Sequence, residues 1–571
     1  MKHILTIATA ALLSAAALAA PVSRETARQQ AQQLMGKTVA PVEAQARSAS
    51  QLPSPTMGLQ QAQPAYYLFA AQDGEGFAII SADDALPAVV AYSTEGTLTA
   101  ESTMPPALAL HLDAYAKYVE ACQQGRAAAP DTDGFALFAS RRQAPSTVLV
   151  PSQWGQQSPY NDLCPQQNGK TCPTGCVATA MAQIMYYWQW PVKGSGYGSG
   201  TGPDGNVVHG TIEHTYQWEA MQNTTAANRQ SAEAATAVAQ LLYDCGLSVG
   251  MDYGVDGSSA GTPFTALYRN FGYIPTTLRT RMRESFATDV EYLEAIADEI
   301  DAGRPVYQAA SSESGTGTDA SGHAYIIDGY DTNGLVHVNW GWNGNYDGYY
   351  NLALMNPGSY SYTLNQRIIT GIEPAWNGET GEPTEYPYLG SPIKSDVAVG
   401  TTMKTSVNFN ITVGNIWNNG GTAHVWNMTF ALFDVEGNML ETINANRMTQ
   451  KVELSASSFY KEDAFTMACK IRGTYNGDYA IRTVFKEGSS DWILPDTKGG
   501  QDNNAIYVHL SGANVTFTDG TDFKEQQIAA AISKTTVDTS RSDNRLFDLQ
   551  GRRVQNAGKG IYIIGGKKVV K

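Results

Sequence analysis

The sequence predicts a multidomain α+β chain that ends in an all-β, immunoglobulin-like sandwich, and three observations carry that expectation. Its 571 residues, at about 150 per domain, suggest three or four domains rather than one compact fold. Hydrophobic residues make up 43%, charged residues only 16%, and there are 54 glycines; that balance fits folded, turn-rich domains and lacks the charge density of a disordered chain. Finally, helical and strand periodicities mix up to about residue 375, after which alternation at period two takes over, the pattern of a sandwich.

The elements follow in order. Met1-Lys2-His3, the apolar run Ile4 to Leu18 and the small-x-small site Ala17-Leu18-Ala19 have the pattern of a signal peptide over 1–19, and the run is short for the roughly 20 residues of a spanning helix. Residues 20–147 hold an amphipathic helix near Glu25 to Met35, the strand pair Tyr66 to Ala71 and Phe77 to Ala82, and a helix over Ala107 to Gln124. They read as a small α+β domain. It runs into a Pro-bearing linker, Ser140 to Pro145, of the kind that proteases nick. Residues 148–375 are rich in Trp, Tyr and Gly and carry four of the six cysteines. Residues 376–535 contain runs such as Thr405 to Val413 and Met428 to Val435 between Gly/Asn turns, the expected sandwich. In the tail, 536–571, the stretch Arg541 to Lys571 has eight Lys/Arg against two Asp, so it is +6 while the rest carries -22. Its runs Leu546 to Leu549 and Ile561 to Ile564 suggest a folded β module rather than an electrostatic arm. The net charge of -16 argues against sequence-independent nucleic-acid binding, since nothing would neutralise phosphates broadly.

The chemistry concentrates around Cys176. Met181, Ile184, Met185 and Trp188 recur at i, i+3, i+4 and i+7, one face of a helix, with Thr174 as candidate N-cap and Pro191 as stop. Cys176 then lies in the first turn, where unpaired N–H groups and the helix dipole lower a thiol pKa and favour the thiolate nucleophile. A small buried cysteine is the competing reading. A thiolate needs a base, and among eight histidines His323 stands out. It opens an apolar strand to Tyr330, followed by the turn Asp331-Thr332-Asn333-Gly334 and a second strand to Trp340. In such a hairpin His323 meets the end of the second strand. Asn339 or Trp340 would then orient or shield the imidazole. Pairing 330 with 335 puts Trp340 on the face of His323, and a slip of one residue puts Asn339 there. His337, amid apolar neighbours, reads as structural. Cys172-x-x-x-Cys176 has no paired ligands for a metal, so no metal or cofactor is expected. Cys164 and Cys172 are a possible local disulfide in an exported chain or two free thiols.

Several motifs together carry a family resemblance. Trp154-Gly155-Gln156 with Ser158-Pro159-Tyr160-Asn161, the helix from Gly175-Cys176 to Ile184, Met251-Asp252-Tyr253-Gly254, Gly322-His323-Ala324 and Val338-Asn339-Trp340-Gly341-Trp342 resemble the streptopain family of papain-like cysteine proteases. The resemblance spans Val148 to about Pro374. It implies a papain-like catalytic domain over 148–375, with Cys176 as nucleophile and His323 as general base and then acid. It also implies Gln156 as oxyanion-hole donor beside the Cys176 N–H, Trp340 with Asn339 as imidazole-positioning groups, and Ser259 on the substrate cleft. The loop Ala309 to Ser321 is longer than in streptopain, which bears on that wall of the cleft. Gly76 to Asp84 is similar to the family's inhibitory prodomain, implying that 20–147 blocks the cleft until cut between Ser140 and Val150. Residues Leu546 to Val554 and Gly560-Ile561-Tyr562 resemble the sorting domain of type IX secretion cargo. The expectation is a monomeric secreted or cell-surface endopeptidase, exported through the periplasm as a zymogen. Its partners would be protein and peptide substrates, its own prodomain and the outer-membrane secretion machinery. The alternative is a silent papain-like domain carrying a β-sandwich adhesin.

Overall fold

In the computed structural model the described residues are 21–42, 64–95, 104–127, 138, 142, 144–312, 322–355, 364–420, 422–455, 458–535 and three short tail strands. The expected signal sequence, most of the linker around Ser140 and residues 313–321 of the long loop lie outside them. Helix α1 (Arg24–Met35) is capped by the Ser23 side chain, which accepts from Thr26 N–H, and ends at Gly36 in the left-handed region, φ 63°, as helix-end chemistry favours. It buries Ala27, Ala31 and Met35 on strands β1 (Val39–Pro41), β2 (Tyr66–Ala71) and β3 (Phe77–Ser81). After β4 (Val89–Ser93) comes α2 (Pro106–Gln123).

The N-terminal segment does not form a separate sheet. Tyr92 and Ala91 of β4 pair antiparallel with Tyr349 and Tyr350, so one ten-stranded sheet runs through both segments. Its remaining strands are β5 (Arg279–Met282), β6 (Val306–Ser312), β7 (Gly322–Tyr330), β8 (Val336–Asn339), β9 (Gly348–Tyr350) and β10 (Leu364–Thr370). Their spatial order is β1-β2-β3-β4-β9-β8-β7-β6-β10-β5. Helices cover both faces, and period two sorts each strand between them. On one face Tyr325, Ile327, Val338 and Trp340 pack with Leu108, Leu112 and Tyr115 of α2 and with Tyr292 and Leu293 from helix Asp289–Asp301. On the other, Ala324, Ile326 and Ile369 pack with Met181, Ile184 and Met185 of α3 (Cys176–Trp188) and with Leu241 and Leu242 of α4 (Ala232–Ser248). Leu108, Leu112 and Tyr115 are each at most 2% exposed; at about 2 kcal/mol apiece they hold α2 down by roughly 6 kcal/mol as an upper estimate.

Beyond residue 384, three-, four- and seven-stranded sheets follow. Phe409 and Ile411 of the three-stranded sheet share one core with Trp426, Phe430, Phe485 and Phe517 of the seven-stranded sheet, as face-to-face sheet packing requires. In the tail, Leu546–Phe547 pairs antiparallel with Ile561–Ile564, which pairs with Lys567–Val570. Among the described residues no helix is long and apolar enough to cross a membrane.

Candidate active site

Cys176 is the first residue of α3. The cap is Gly175, not Thr174: its φ of 85° suits glycine, and a Cβ there would meet Met251 at 2.7 Å. Thr174 instead bonds its hydroxyl to that of Thr179 at 2.8 Å. The thiol is half-buried, and Ala324 donates its backbone N–H to Sγ at 3.3 Å. Burial raises the thiol pKa above its ordinary value, only partly countered by the N–H groups of Ala324 and Val177. The lowering expected from the helix terminus is outweighed here by desolvation.

Gln156 lies beside the nucleophile because its carbonyl accepts from Thr174 N–H at 3.1 Å. Its half-buried side-chain amide has no hydrogen-bond partner among the described residues, so its donors are available to a ligand. Ser259 is exposed and closes a small bridge with Asp252, N–H to O at 3.0 Å and 2.8 Å in the two directions. Its neighbour Ser258 donates to the Pro173 carbonyl at 2.7 Å, which sets this loop against the start of α3.

The histidine stands elsewhere. In β7, Ala324 and Ile326 face α3, while Tyr325 and Ile327 face α2. His323 pairs with Ala310 and by alternation shares the α2 face. No hydrogen bond joins it to Cys176. Desolvation lowers its pKa to about 4, so at neutral pH it is uncharged. Its electrostatic neighbour is His111 of α2, which is 0% exposed and whose own pKa burial lowers to about 3, with a further push from His323. His111 Nε2 bonds the Tyr325 hydroxyl at 2.7 Å, and its ring lies 6.0 Å from that of Trp340.

Strand register separates the two orienting candidates. Tyr330 pairs with Val336, one residue off the pairing of 330 with 335, but a bulge between Ile327 and Gly329 restores that pairing so that Ile326 meets Asn339. Trp340 is therefore on the His323 face: its ring is 4.8 Å from Tyr325 and 5.0 Å from Tyr350, and its indole donates to Tyr346 O at 3.1 Å. Asn339 is on the opposite face and does not face the imidazole. Its Oδ1 accepts from Gln183 Nε2 at 3.1 Å and from Gly341 N–H at 3.0 Å, and its amide donates to Ser152 O at 2.7 Å. Gln183, fully buried on α3, also accepts from the Ser152 hydroxyl at 3.0 Å and from Trp154 N–H at 3.1 Å. It thus ties the nucleophile's helix to the hairpin and to the segment leading to Gln156. The sequence signal was a polar residue beside the apolar helix face, which periodicity alone passes over. His337 is held by the buried carboxylate of Asp328 at 2.6 Å; burial alone would lower its pKa, but that carboxylate leaves it raised. Cys164 and Cys172 are both free thiols.

Comparison with known proteins agrees with this arrangement of segments. Residues 154–350 match the peptidase C10 family, and residues 19–119 match the Spi protease inhibitor family. The thiol protease/hemagglutinin PrtT of Porphyromonas gingivalis is 31% identical over 423 residues, 70% of this chain but only 47% of PrtT, so the chain spans about half of that relative. Streptopain of Streptococcus pyogenes is 31% identical over 367 residues, covering 59% of this chain and 88% of streptopain. Among solved structures, the prointerpain A fragment of Prevotella intermedia is 33% identical, covering 55% of this chain and 97% of that one, with a TM-score of 0.45. The chain belongs to the peptidase C10 family of cysteine peptidases, the family of streptopain, and carries a Spi-type inhibitor segment ahead of its peptidase segment.

Proposed function

We propose that the chain is a secreted endopeptidase zymogen in which Cys176 and His323 hydrolyse peptide bonds once the N-terminal segment has been removed. The observation that carries the reading is the placement of Cys176 at the start of α3, with the unpartnered amide of Gln156 held beside it through Thr174. In this reading His323 takes the thiol proton, sulfur attacks the substrate carbonyl carbon, and the oxyanion is held by the Gln156 amide and the Cys176 N–H. The imidazolium then protonates the leaving amine. Water, deprotonated by His323, attacks the thioester carbonyl and releases the carboxylate and the thiol.

Latency follows from the separation of the pair. Helix α2 covers the face on which His323 stands and brings His111 next to both His323 and Trp340, while β4 extends the sheet through β9. Removing residues 20–147 uncovers that face, and His323, one residue from the end of its strand, turns to Cys176 with Trp340 shielding it. Asn339 contributes from beneath through Gln183. Arg142 is anchored to Glu294 at 2.9 Å and Asp298 at 2.7 Å, and to Asp301, whereas Ala144, Pro145, Thr147 and Val148 are exposed. That exposure supports cleavage between Ser140 and Val150. Export is proposed from the 1–19 pattern and the basic tail. Purified chain freed of its N-terminal segment should degrade casein, and the Cys176→Ala form should not; equal rates would reject the assignment.

A further inference from the structure

Where the β-rich C-terminal region docks on the edge strand β5, it leaves a cavity of about 770 Å³, within the usual size of ligand sites and at a domain junction, where such sites concentrate. The docking is polar and fixed. Arg279 pairs with Asp496 at 2.6 Å, its guanidinium lies 4.0 Å from the Tyr386 ring centroid, Glu284 accepts from the Tyr388 hydroxyl, and Gly499 N–H donates to Glu284 O at 2.7 Å. One wall carries Arg367 and Asn365 of β10 with Phe264; the facing wall carries Tyr386, Trp417 and Asn419. Among the described residues, none of the lining comes from the N-terminal segment.

Two features give the cavity a chemistry. Trp417 is a fixed plate: its ring stacks on Phe459 at 4.2 Å and 16°, and its indole N–H is held by Asn415 Oδ1 at 2.6 Å. Arg367 is half-buried yet has no carboxylate partner among the described residues, whereas Arg279 in the same junction is paired with Asp496. An unpaired guanidinium in such a wall is suited to a carboxylate in bidentate contact. The position is equally specific. Arg367 lies directly opposite Ala309, and Ala309 directly opposite Ala324, whose N–H touches Cys176 Sγ. Residues opposite each other share a face, so Arg367 stands on the Cys176 side of the sheet, two strand spacings or roughly 10 Å from Ala324.

We propose that this cavity is a substrate exosite. A polypeptide gripped at Cys176 extends over Ala324 and Ala309 into it, placing an acidic side chain on Arg367 and an apolar one against Trp417. The C-terminal region then supplies part of the specificity. The inference rests on the peptidase reading, and the test separates the two.

The matured chain, C-terminal region attached, is given a fluorogenic tetrapeptide and a series of twelve-residue peptides sharing that tetrapeptide, with Glu, Gln or Lys scanned through the distal positions. The expected result is a position at which Glu lowers KM about tenfold against Lys, equivalent to about 1.4 kcal/mol, with kcat unchanged. Arg367→Gln should erase that preference, and Arg367→Lys, which keeps the charge but not the bidentate fork, should keep only part of it. Trp417→Ala should lower the ratio of long- to short-peptide kcat/KM, and Trp417→Phe should restore it. If the tetrapeptide is cleaved but length, charge and all four variants leave the ratios within about twofold, below half a kcal/mol, the exosite is refuted and the peptidase reading stands. If wild type cleaves neither the tetrapeptide nor the longer peptides, both fall.

Discussion

Replacing Gln183 with leucine keeps the volume of the side chain and removes its hydrogen bonding, and the cost can be worked from the groups it serves. The Ser152 hydroxyl and the Trp154 N–H both donate to Gln183 Oε1, and both residues are 0% exposed, so water cannot replace the lost acceptor. A stranded buried donor costs about 1–3 kcal/mol, giving roughly 2–6 kcal/mol for the pair. Asn339 loses both its bonds to Gln183, the one its Oδ1 accepts at 3.1 Å and the longer one its amide donates at 3.3 Å, but keeps those to Ser152 O and Gly341 N–H, so it adds less. Against a domain stability of about 5–15 kcal/mol, the peptidase segment should unfold at distinctly lower urea than the C-terminal β region. Limited proteolysis across a urea series, read by fragment mass, distinguishes the two segments. Gln183→Glu keeps the acceptor and loses the donor, so it should lie between wild type and Gln183→Leu. Should Gln183→Leu resist urea as wild type does and mature at the same rate, the argument that Gln183 braces the site is wrong.

Two pH dependences follow from buried groups. His323 and His111 have pKa values lowered to about 4 and about 3, so the stability they contribute is present above the unfolded value of about 6.5 and is lost as pH falls toward those values. At pH 5 each lowers the stability of the unprocessed chain by roughly 2 kcal/mol, and His111→Gln, which keeps a partner for Tyr325, should make its melting temperature fall less between pH 6.5 and 4. Asp347, which accepts from Trp340 N–H at 2.9 Å, has its pKa raised by burial to about 7 from 3.8. Its contribution has the opposite sign, present below 3.8 and lost as pH rises through 7, so Asp347→Asn should remove stability loss between pH 4 and 7; an unchanged slope of melting temperature against pH would contradict that burial.

Local patterns were legible in the sequence where local physics decides. The apolar spacing from Met181 to Trp188 gave helix α3 with Cys176 at its start, and the runs 66–71 and 77–81 are strands as alternation requires. The hairpin was legible but its register was not: the sequence left Trp340 and Asn339 both open opposite His323, and the bulge after Ile327 adds a residue that no turn signal announces. The capping residue was misjudged by one position, since close approach of Met251 to Gly175 is a tertiary fact. Nor does sequence reveal that His111 meets Tyr325 across 214 residues, that His323 and Cys176 occupy opposite faces of the sheet, or that Arg367 has no carboxylate partner among the described residues beside a C-terminal aromatic wall. Those features depend on which faces pack together, and composition leaves that undetermined.

The central claim, a Cys176 peptidase held latent by its own N-terminal segment, is tested most directly by intact mass against time for the chain without residues 1–19 and 536–571, beside its Cys176→Ala form, in mildly reducing buffer. Wild type should shed a fragment ending between Ser140 and Val150 while the alanine form stays whole. If both are cut there at the same rate, or if wild type trimmed by an added protease hydrolyses no peptide, the account is contradicted.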